Sequence, residues 1–436
     1  MKKVLVSLFV ALLFVSLLYG LNLRYVSTIV GNKPGDMFGL VVSSGGDINH
    51  DGYPEILVSA MDGGLGSKQP GVVYIFRGKT ISAGESYASL SQNEPGDRFG
   101  SAMCSLGDIN DDSYDDFAVA ADRSDATGTD AGAVYIYLGG KESPTLSKKL
   151  SGERANDWFG TSIAGGADIT GDGKPDLIVG ASYGGDNYSG AVYIFSGAQD
   201  FEEPIVIEKG EPGSLFGHRV HIVGDVTGDG INDIAIGAYY TTHSGRKYCG
   251  AVYMFAGGEK ISSTPFATFF GRQEKDWFGF DVAGLGDINK DGFADFAVGA
   301  PRAGKKREGR VYLYYGGKSI PDKPAIVFAG KEAGDMFGYS LTAGDIDRDK
   351  LCELICGAPG YDTGNYRSGR AFIFSLSSPL NATSDYHING EAADDECGKF
   401  VSFIDGAFGK GKGALFLSAP GVEGRKKGIS KLFIYR

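Results

Sequence analysis

Cysteine, histidine and tryptophan are all scarce in this chain, with five, five and two of them among 436 residues. Cys104, Cys249, Cys352, Cys356 and Cys397 are too few and too scattered to staple a disulfide scaffold or to pair up as zinc ligands, so they read as small buried apolar residues. The histidines, His50, His218, His221, His243 and His387, are dispersed, with His218 and His221 expected on opposite faces of one strand. No nucleophile elbow or metal-hydrolase motif accompanies them, so the chain is expected not to be an enzyme. Positive charge is short as well. Against 54 Asp and Glu stand 42 Lys and Arg, a formal −12 that argues against nucleic acid, whose phosphates demand basic surfaces. Long apolar runs are missing beyond the N-terminus, where Met1, Lys2 and Lys3 precede an apolar stretch over 4–18 and then Tyr19-Gly20. That layout predicts a secretory signal over residues 1–20 and an exported mature chain, 21–436, with no transmembrane span.

What the chain has in quantity is glycine, 69 residues spread evenly, with few helix-like apolar periods. Its length is therefore expected to form one all-β unit rather than several domains. Phe-Gly pairs recur at nearly constant spacing: Phe38-Gly39, Phe99-Gly100, Phe159-Gly160, Phe216-Gly217, Phe278-Gly279 and Phe337-Gly338, with a worn copy at Cys397-Gly398. After each comes a short strand of small residues (Ser43, Ser44 and Gly45; Ala164, Gly165 and Gly166; Ala283 and Gly284). There follow an Asp-rich loop in the first six copies, an apolar strand such as 177–181, a polar Gly-rich loop, an alternating strand such as 191–195, and a last strand such as 145–150. Four short strands per copy read as an antiparallel meander, which buries both faces only if like sheets pack beside it. Radial repetition achieves this and predicts a seven-bladed β-propeller of four-stranded antiparallel blades; a linear solenoid would need polar caps at both ends. The seventh copy stops after a third strand at 432–435, while a strand over 24–30 precedes Phe38 as 145–150 precedes Phe159. The N-terminal strand is expected to complete the last blade and close the ring.

The loop after each first strand carries oxygen-bearing side chains at positions one, three, five and nine. They are Asp47, Asn49, Asp51 and Glu55; Asp108, Asn110, Asp112 and Asp116; Asp168, Thr170, Asp172 and Asp176; Asp225, Thr227, Asp229 and Asp233; Asp287, Asn289, Asp291 and Asp295; and Asp345, Asp347, Asp349 and Glu353. Calcium takes six to eight oxygens, a backbone carbonyl among them, and alternate spacing turns such oxygens inward around one ion. Position seven, which is Tyr53, Tyr114, Lys174, Ile231, Phe293 or Leu351, would give the carbonyl. An EF-hand shares the first three positions but closes at position twelve between two helices, whereas position twelve here, Val58, falls in a strand. Magnesium fits less well because it usually keeps several waters. Asp, Asn and Gly make turns anywhere, but six recurrences at fixed offsets predict up to six calcium ions, whose charge would offset the formal −12. Position six is Gly52, Gly173, Gly230 or Gly292, where positive φ costs least. Ser113 and Lys350 stand there in the second and sixth loops, which are expected to be strained or differently turned and to bind more weakly. In the seventh copy Asp405 is followed by Gly406 and Ala407, and no ligand set remains.

The Phe-Gly pairs, the Asp-rich loops and the Gly299-Ala300-Pro301 and Gly357-Ala358-Pro359 elements together resemble the FG-GAP repeat of the integrin α-subunit head. The resemblance covers essentially the whole mature chain. It implies a propeller with calcium loops on one face, an extracellular protein or glycan ligand on the other, and an adhesion context; a free-standing monomer is expected. In an up-and-down blade the loops joining strands one to two and three to four share a face. The opposite face receives Trp158 and Trp277, just before Phe-Gly, and Tyr183, Tyr188, Tyr239, Tyr240, Tyr248, Tyr361 and Tyr366. Exposed loop aromatics suit binding, which makes Tyr183, Tyr239, Tyr240, Trp158 and Trp277 the candidate ligand-binding residues, with packing between blades as the alternative for the tryptophans. FG-GAP repeats also resemble parts of some lyases and phospholipases, so a polysaccharide- or phosphodiester-active enzyme is the competing reading. Basic residues with carboxylates in the axial pocket would favour it, and an aromatic, carboxylate-poor face would favour binding.

Overall fold

A strand that is apolar at nearly every position needs cover on both faces. Seven such strands occur, and each is buried along its whole length: Glu55–Ala60, Asp116–Ala121, Asp176–Ala181, Asp233–Ala238, Asp295–Ala300, Glu353–Ala358 and Ala414–Ala419. In the computed structural model, which describes residues 23–32, 35–61, 70–92, 94–364, 366–376, 380, 382–421 and 430–436, each is the second strand of a four-stranded antiparallel sheet. The segment expected to be a signal, 1–20, lies outside the described residues. Six sheets run in chain order. The seventh joins Val401–Ile404, Ala414–Ala419 and Lys431–Tyr435 to the N-terminal strand Tyr25–Val30. Thr28 lies opposite Phe433 and Val30 opposite Lys431. Arg24 and Arg436 exchange backbone hydrogen bonds at 2.7 and 2.9 Å. The first strand of every blade packs against those of its two neighbours, Val401–Ile404 against Val42–Gly46 included, so the all-β ring of seven blades is closed.

Seven apolar clusters fill the spaces between neighbouring blades. The one that seals the ring puts Ile29, Phe416 and Leu432 of the last blade against Phe38, Ile56 and Phe76 of the first. The Phe of each Phe-Gly pair is buried, at 0 to 4 % exposure, and meets an aromatic of its own third strand edge-on, as Phe159 meets Tyr193 at 5.3 Å. Burying one such ring stabilises the fold by about 2–3 kcal/mol. The pair also docks the blade before it, because Phe159, Phe216, Phe278, Phe337 and Cys397 bridge to Gly132, Gly190, Gly250, Gly309 and Gly369. A Cβ on Gly132 would lie 2.1 Å from the Phe159 carbonyl oxygen, so only glycine lets the two backbones approach this closely.

The first strands line an axial cavity of about 900 Å³. His218, just before the strand Arg219–Gly224, and His221 within it both border the cavity. All five cysteines are free, and all but the half-buried Cys352 are buried. No helix among the described residues is long and apolar enough to cross a membrane.

Candidate metal loops and the aromatic face

The first five Asp-rich hairpins are each wound around their own first carboxylate, whereas in the sixth only the Lys350 N–H reaches Asp345, at 3.1 Å, and the Asp349 N–H donates to Asp347 instead. The N–H groups of positions five and six donate to the two oxygens of position one: Asp51 and Gly52 to Asp47 at 2.9 Å each, Asp112 and Ser113 to Asp108 at 3.0 and 2.7 Å, Asp172 and Gly173 to Asp168 at 3.2 and 2.8 Å. Asp225 and Asp287 accept in the same way. Position five in turn accepts the N–H of position seven in all six loops, from Tyr53, Tyr114, Lys174, Ile231, Phe293 and Leu351, at 2.8 to 3.1 Å. Ser113 and Lys350 follow the same turn as the four glycines, with φ of 74° and 73°, so they are strained rather than differently turned. Position four, which sequence reasoning passed over, is also left-handed throughout: His50, Asp111, Gly171, Gly228, Lys290 and Arg348 have φ from 58° to 77°.

Position nine opens the buried second strand, and Glu55, Asp116, Asp176, Asp233, Asp295 and Glu353 are all 0 % exposed. Each accepts backbone N–H groups of its own hairpin. Asp116, Asp176, Asp233 and Asp295 also accept from Gly139, Gly197, Gly257 and Gly316, just after the third strand, which confirms that the one-to-two and three-to-four loops share a face. Among the described residues no Lys, Arg or His ion-pairs with any of the six. Burial, with the charges of Asp51 and Asp47, pushes Glu55 up to about 8. Burial likewise raises Glu353 to about 8, Asp116, Asp233 and Asp295 to about 6, and Asp176 above its usual range. Several loop oxygens are buried with no hydrogen-bond partner: Asn49 Oδ1, Thr227 Oγ1, Asp345 Oδ1 and Glu353 Oε1. Buried carboxylates and orphaned acceptors, all oxygen, are what a hard divalent cation requires. In the sixth loop, expected to be weak, oxygens of Asp345, Asp347 and Glu353 lie within 4.8 Å of one another. The 405–413 loop of the seventh blade has no equivalent set.

On the other face the candidate aromatics come together. Trp158 packs against Tyr183 with ring centroids 3.8 Å apart, and the Arg123 guanidinium lies 3.4 Å over the indole. Tyr239 meets Tyr240 at 4.4 Å and Trp277 at 5.6 Å, and Arg302 covers Trp277 at 4.4 Å. Tyr183 is close enough to Tyr239 and Tyr240 for the phenols to influence one another. The two groups therefore form one arc, continued by Phe280 and Tyr339. Trp158, Tyr183 and Tyr239 line the cavity mouth, whereas Tyr240 and Trp277 lie outside its wall. The tryptophans are half-buried under their arginines, so they do pack between blades while leaving part of each ring in solvent. Sequence reasoning missed Arg123, Arg302, Phe280 and Tyr339. Two columns read down the repeats hold the signal. The residue after each Phe-Gly (Leu40, Ser101, Thr161, His218, Phe280, Tyr339, Lys399) lines the mouth, and the residue before it, Trp158 and Trp277 included, is left-handed in all seven blades, with φ of 50° to 58°.

Comparison with known proteins agrees with this geometry. The FG-GAP repeat matches residues 38–76, 99–137, 159–195, 216–254, 278–314 and 337–374, the first six blades from each Phe-Gly to the third strand. Integrin alpha-5 of Xenopus laevis is 34% identical over 233 residues, 51% of this chain and 22% of that protein. Integrin alpha-8 of Homo sapiens is 32% identical over 237 residues, covering 49% and 22%, and integrin alpha-IIb of Mus musculus 38% identical over 156 residues, covering 34% and 15%. The matched part spans about a fifth of the length of these relatives. With seven blades of this architecture and six matched repeats, the chain belongs to the FG-GAP repeat family and is similar to integrin alpha chains.

Proposed function

We propose that this protein is an extracellular, non-enzymatic binding module that holds up to six calcium ions in its Asp-rich hairpins and presents the opposite face to a protein or glycan. The observation that carries the reading is the continuous aromatic arc around the axial mouth, on the face remote from the hairpins. Half-exposed rings held rigidly by left-handed backbone and stacked arginines offer contact area at little conformational cost, as binding surfaces do. The six buried, cation-free carboxylates support the calcium assignment, with the position-seven carbonyls completing each set. Relatives named as integrin alpha chains support an adhesion setting at the cell surface.

The axial cavity does hold basic and acidic groups, the pattern that would favour an enzyme, but they are spent on one another. Asp281 ion-pairs with Arg219, Nε to Oδ1 2.9 Å, and accepts from the Val282 N–H at 3.0 Å and from the Leu341 N–H at 2.8 Å; Asp122 is paired with Arg98 at 3.1 Å. Burial holds His218 down to about 3, so its imidazole stays neutral at physiological pH. Partnered charges and a neutral ring support binding rather than acid–base chemistry. The test replaces Tyr183, Tyr239 and Tyr240 together by alanine. Affinity for the ligand recovered from a protein and glycan array in calcium should fall by at least about 2 kcal/mol, with calcium affinity unchanged. Loss of calcium with the ligand still bound would reverse the assignment of the faces.

A further inference from the structure

On this face the charge is not evenly spread. The loop between strands two and three of the fourth blade, 239–250, has Arg246 and Lys247 and no carboxylate; that of the fifth, 301–309, has Arg302, Lys305, Lys306 and Arg307 against Glu308 alone. The corresponding loops of the second, third and sixth blades carry at most one basic residue each and at least one Asp. Six cations against one carboxylate is thus a local reversal in a chain of formal charge −12.

The fold joins these loops into one surface. The Lys275 N–H donates to the Lys247 carbonyl at 2.9 Å and the Arg302 N–H to the Asp276 carbonyl at 3.2 Å, so the turn before the fifth Phe-Gly stitches the two loops together. Of the nearby acids, Asp276 is 2 % exposed with its carboxylate on the N–H groups of Arg272 and Gln273, Glu308 is bonded to the Lys306 N–H, and exposed Glu274 pairs with Lys275 at 3.5 Å; Glu332, in the next turn, is also exposed but among the described residues ion-pairs with none of the loop cations. Lys247, Lys305, Lys306 and Arg307 are exposed, and among the described residues no carboxylate ion-pairs with them. Tyr248, 43 % exposed, packs at a tilt against Tyr240 with centroids 5.1 Å apart, and Tyr240 touches Trp277, so the cations border the aromatic arc.

We propose that the loops of the fourth and fifth blades form a binding strip for an acidic polysaccharide, one bearing sulfate or carboxylate groups along a chain of sugar rings. The inference rests on the binding-module reading above and narrows its ligand. A row of exposed cations supplies sites for repeated anionic groups, and the flanking Tyr248 and Tyr240 rings offer apolar faces on which pyranose rings stack. An acidic peptide would use the cations but not the rings, so the combination favours the glycan.

Heparin is the probe, with polyglutamate and neutral dextran as comparators, on the full chain in calcium. Heparin is expected to bind, more weakly as salt rises from 50 to 500 mM because exposed charges are screened, and dextran is not. Replacing Lys247, Lys305, Lys306 and Arg307 by alanine should weaken heparin binding at least about tenfold with the melting temperature unchanged, since these are exposed side chains that hold no ion pair among the described residues. Tyr248→Ala should weaken heparin binding without affecting polyglutamate. No heparin binding, equal binding by wild type and the fourfold variant, or polyglutamate bound as tightly as heparin would overturn the proposal. If heparin fails while an array ligand is lost on the triple tyrosine replacement, the binding-module reading stands and only the polyanion assignment falls.

Discussion

Metal-free protein should become more stable on acidification, against the usual behaviour of a carboxylate-rich surface. The cause is the six position-nine carboxyls, fully buried without a cation, whose folded pKa lies above the unfolded value. Between those two values the folded state holds protons that the unfolded state has released, so stability is fully present at low pH and is lost as pH rises through the folded pKa. Going from pH 8 to 5.5, a group moved to about 8 gains about 3 kcal/mol, as at Glu55 and Glu353, and one moved to about 6 gains about 1 kcal/mol, as at Asp116, Asp233 and Asp295. Buried His218, held down to about 3, opposes this by roughly 1 kcal/mol, because the unfolded chain takes up a proton that it does not, and His221 and His387, whose pKa values burial also lowers, act in the same direction. Some 5 kcal/mol in favour of the acidic condition remains, a sizeable share of a typical ~5–15 kcal/mol total stability. Thermal unfolding followed by circular dichroism, on protein stripped of metal over a chelating resin, should give a melting temperature at least about 5 °C higher at pH 5.5 than at pH 8. In saturating calcium the trend should vanish or reverse, since the ion requires the deprotonated form. A metal-free melting temperature that is flat or falls on acidification would refute the reasoning, for the buried carboxyls would then be ionised with some other partner.

Deleting residues 24–30 should strip the last blade of its outer strand, uncover the apolar surface that Ile29 seals and leave Lys431–Tyr435 as an unpaired edge. Light scattering should show oligomers and the melting temperature should drop; a monomeric, equally stable variant would contradict ring closure. Lys350→Gly and Ser113→Gly should each stabilise the protein by about 1 kcal/mol in denaturant titrations in calcium, by relieving a side chain held at positive φ.

Most of the fold was legible because each blade repeats one hydrophobic program. The wholly buried second strands, the Phe-Gly anchors and the N-terminal strand of the last blade stand where periodicity and spacing put them. The acidic hairpins were equally legible as repeated local turns, since side-chain offsets within a nine-residue loop are a local property. Less legible were features that depend on backbone handedness or on a neighbouring blade. Nothing local marks His50 or Lys290 as left-handed, because the carboxylate of position one imposes that turn through its hydrogen bonds. Arg123 on Trp158 is a contact between blades, and the basic strip of the fourth and fifth blades emerges only when two loops about sixty residues apart are laid side by side. The close approach of Asp345, Asp347 and Glu353 in the sixth loop was not legible either, because it depends on how the whole hairpin folds.

The central claim is that calcium completes this fold. It is tested most directly by titrating metal-stripped protein at pH 7.5 with calcium and counting bound ions by native mass spectrometry, with the melting temperature read on the same samples. The account predicts stepwise uptake of up to six ions and a rising melting temperature, each site adding about 2.7 kcal/mol once calcium exceeds its dissociation constant a hundredfold. Protein that retains no calcium and melts at the same temperature with or without excess chelator would contradict it.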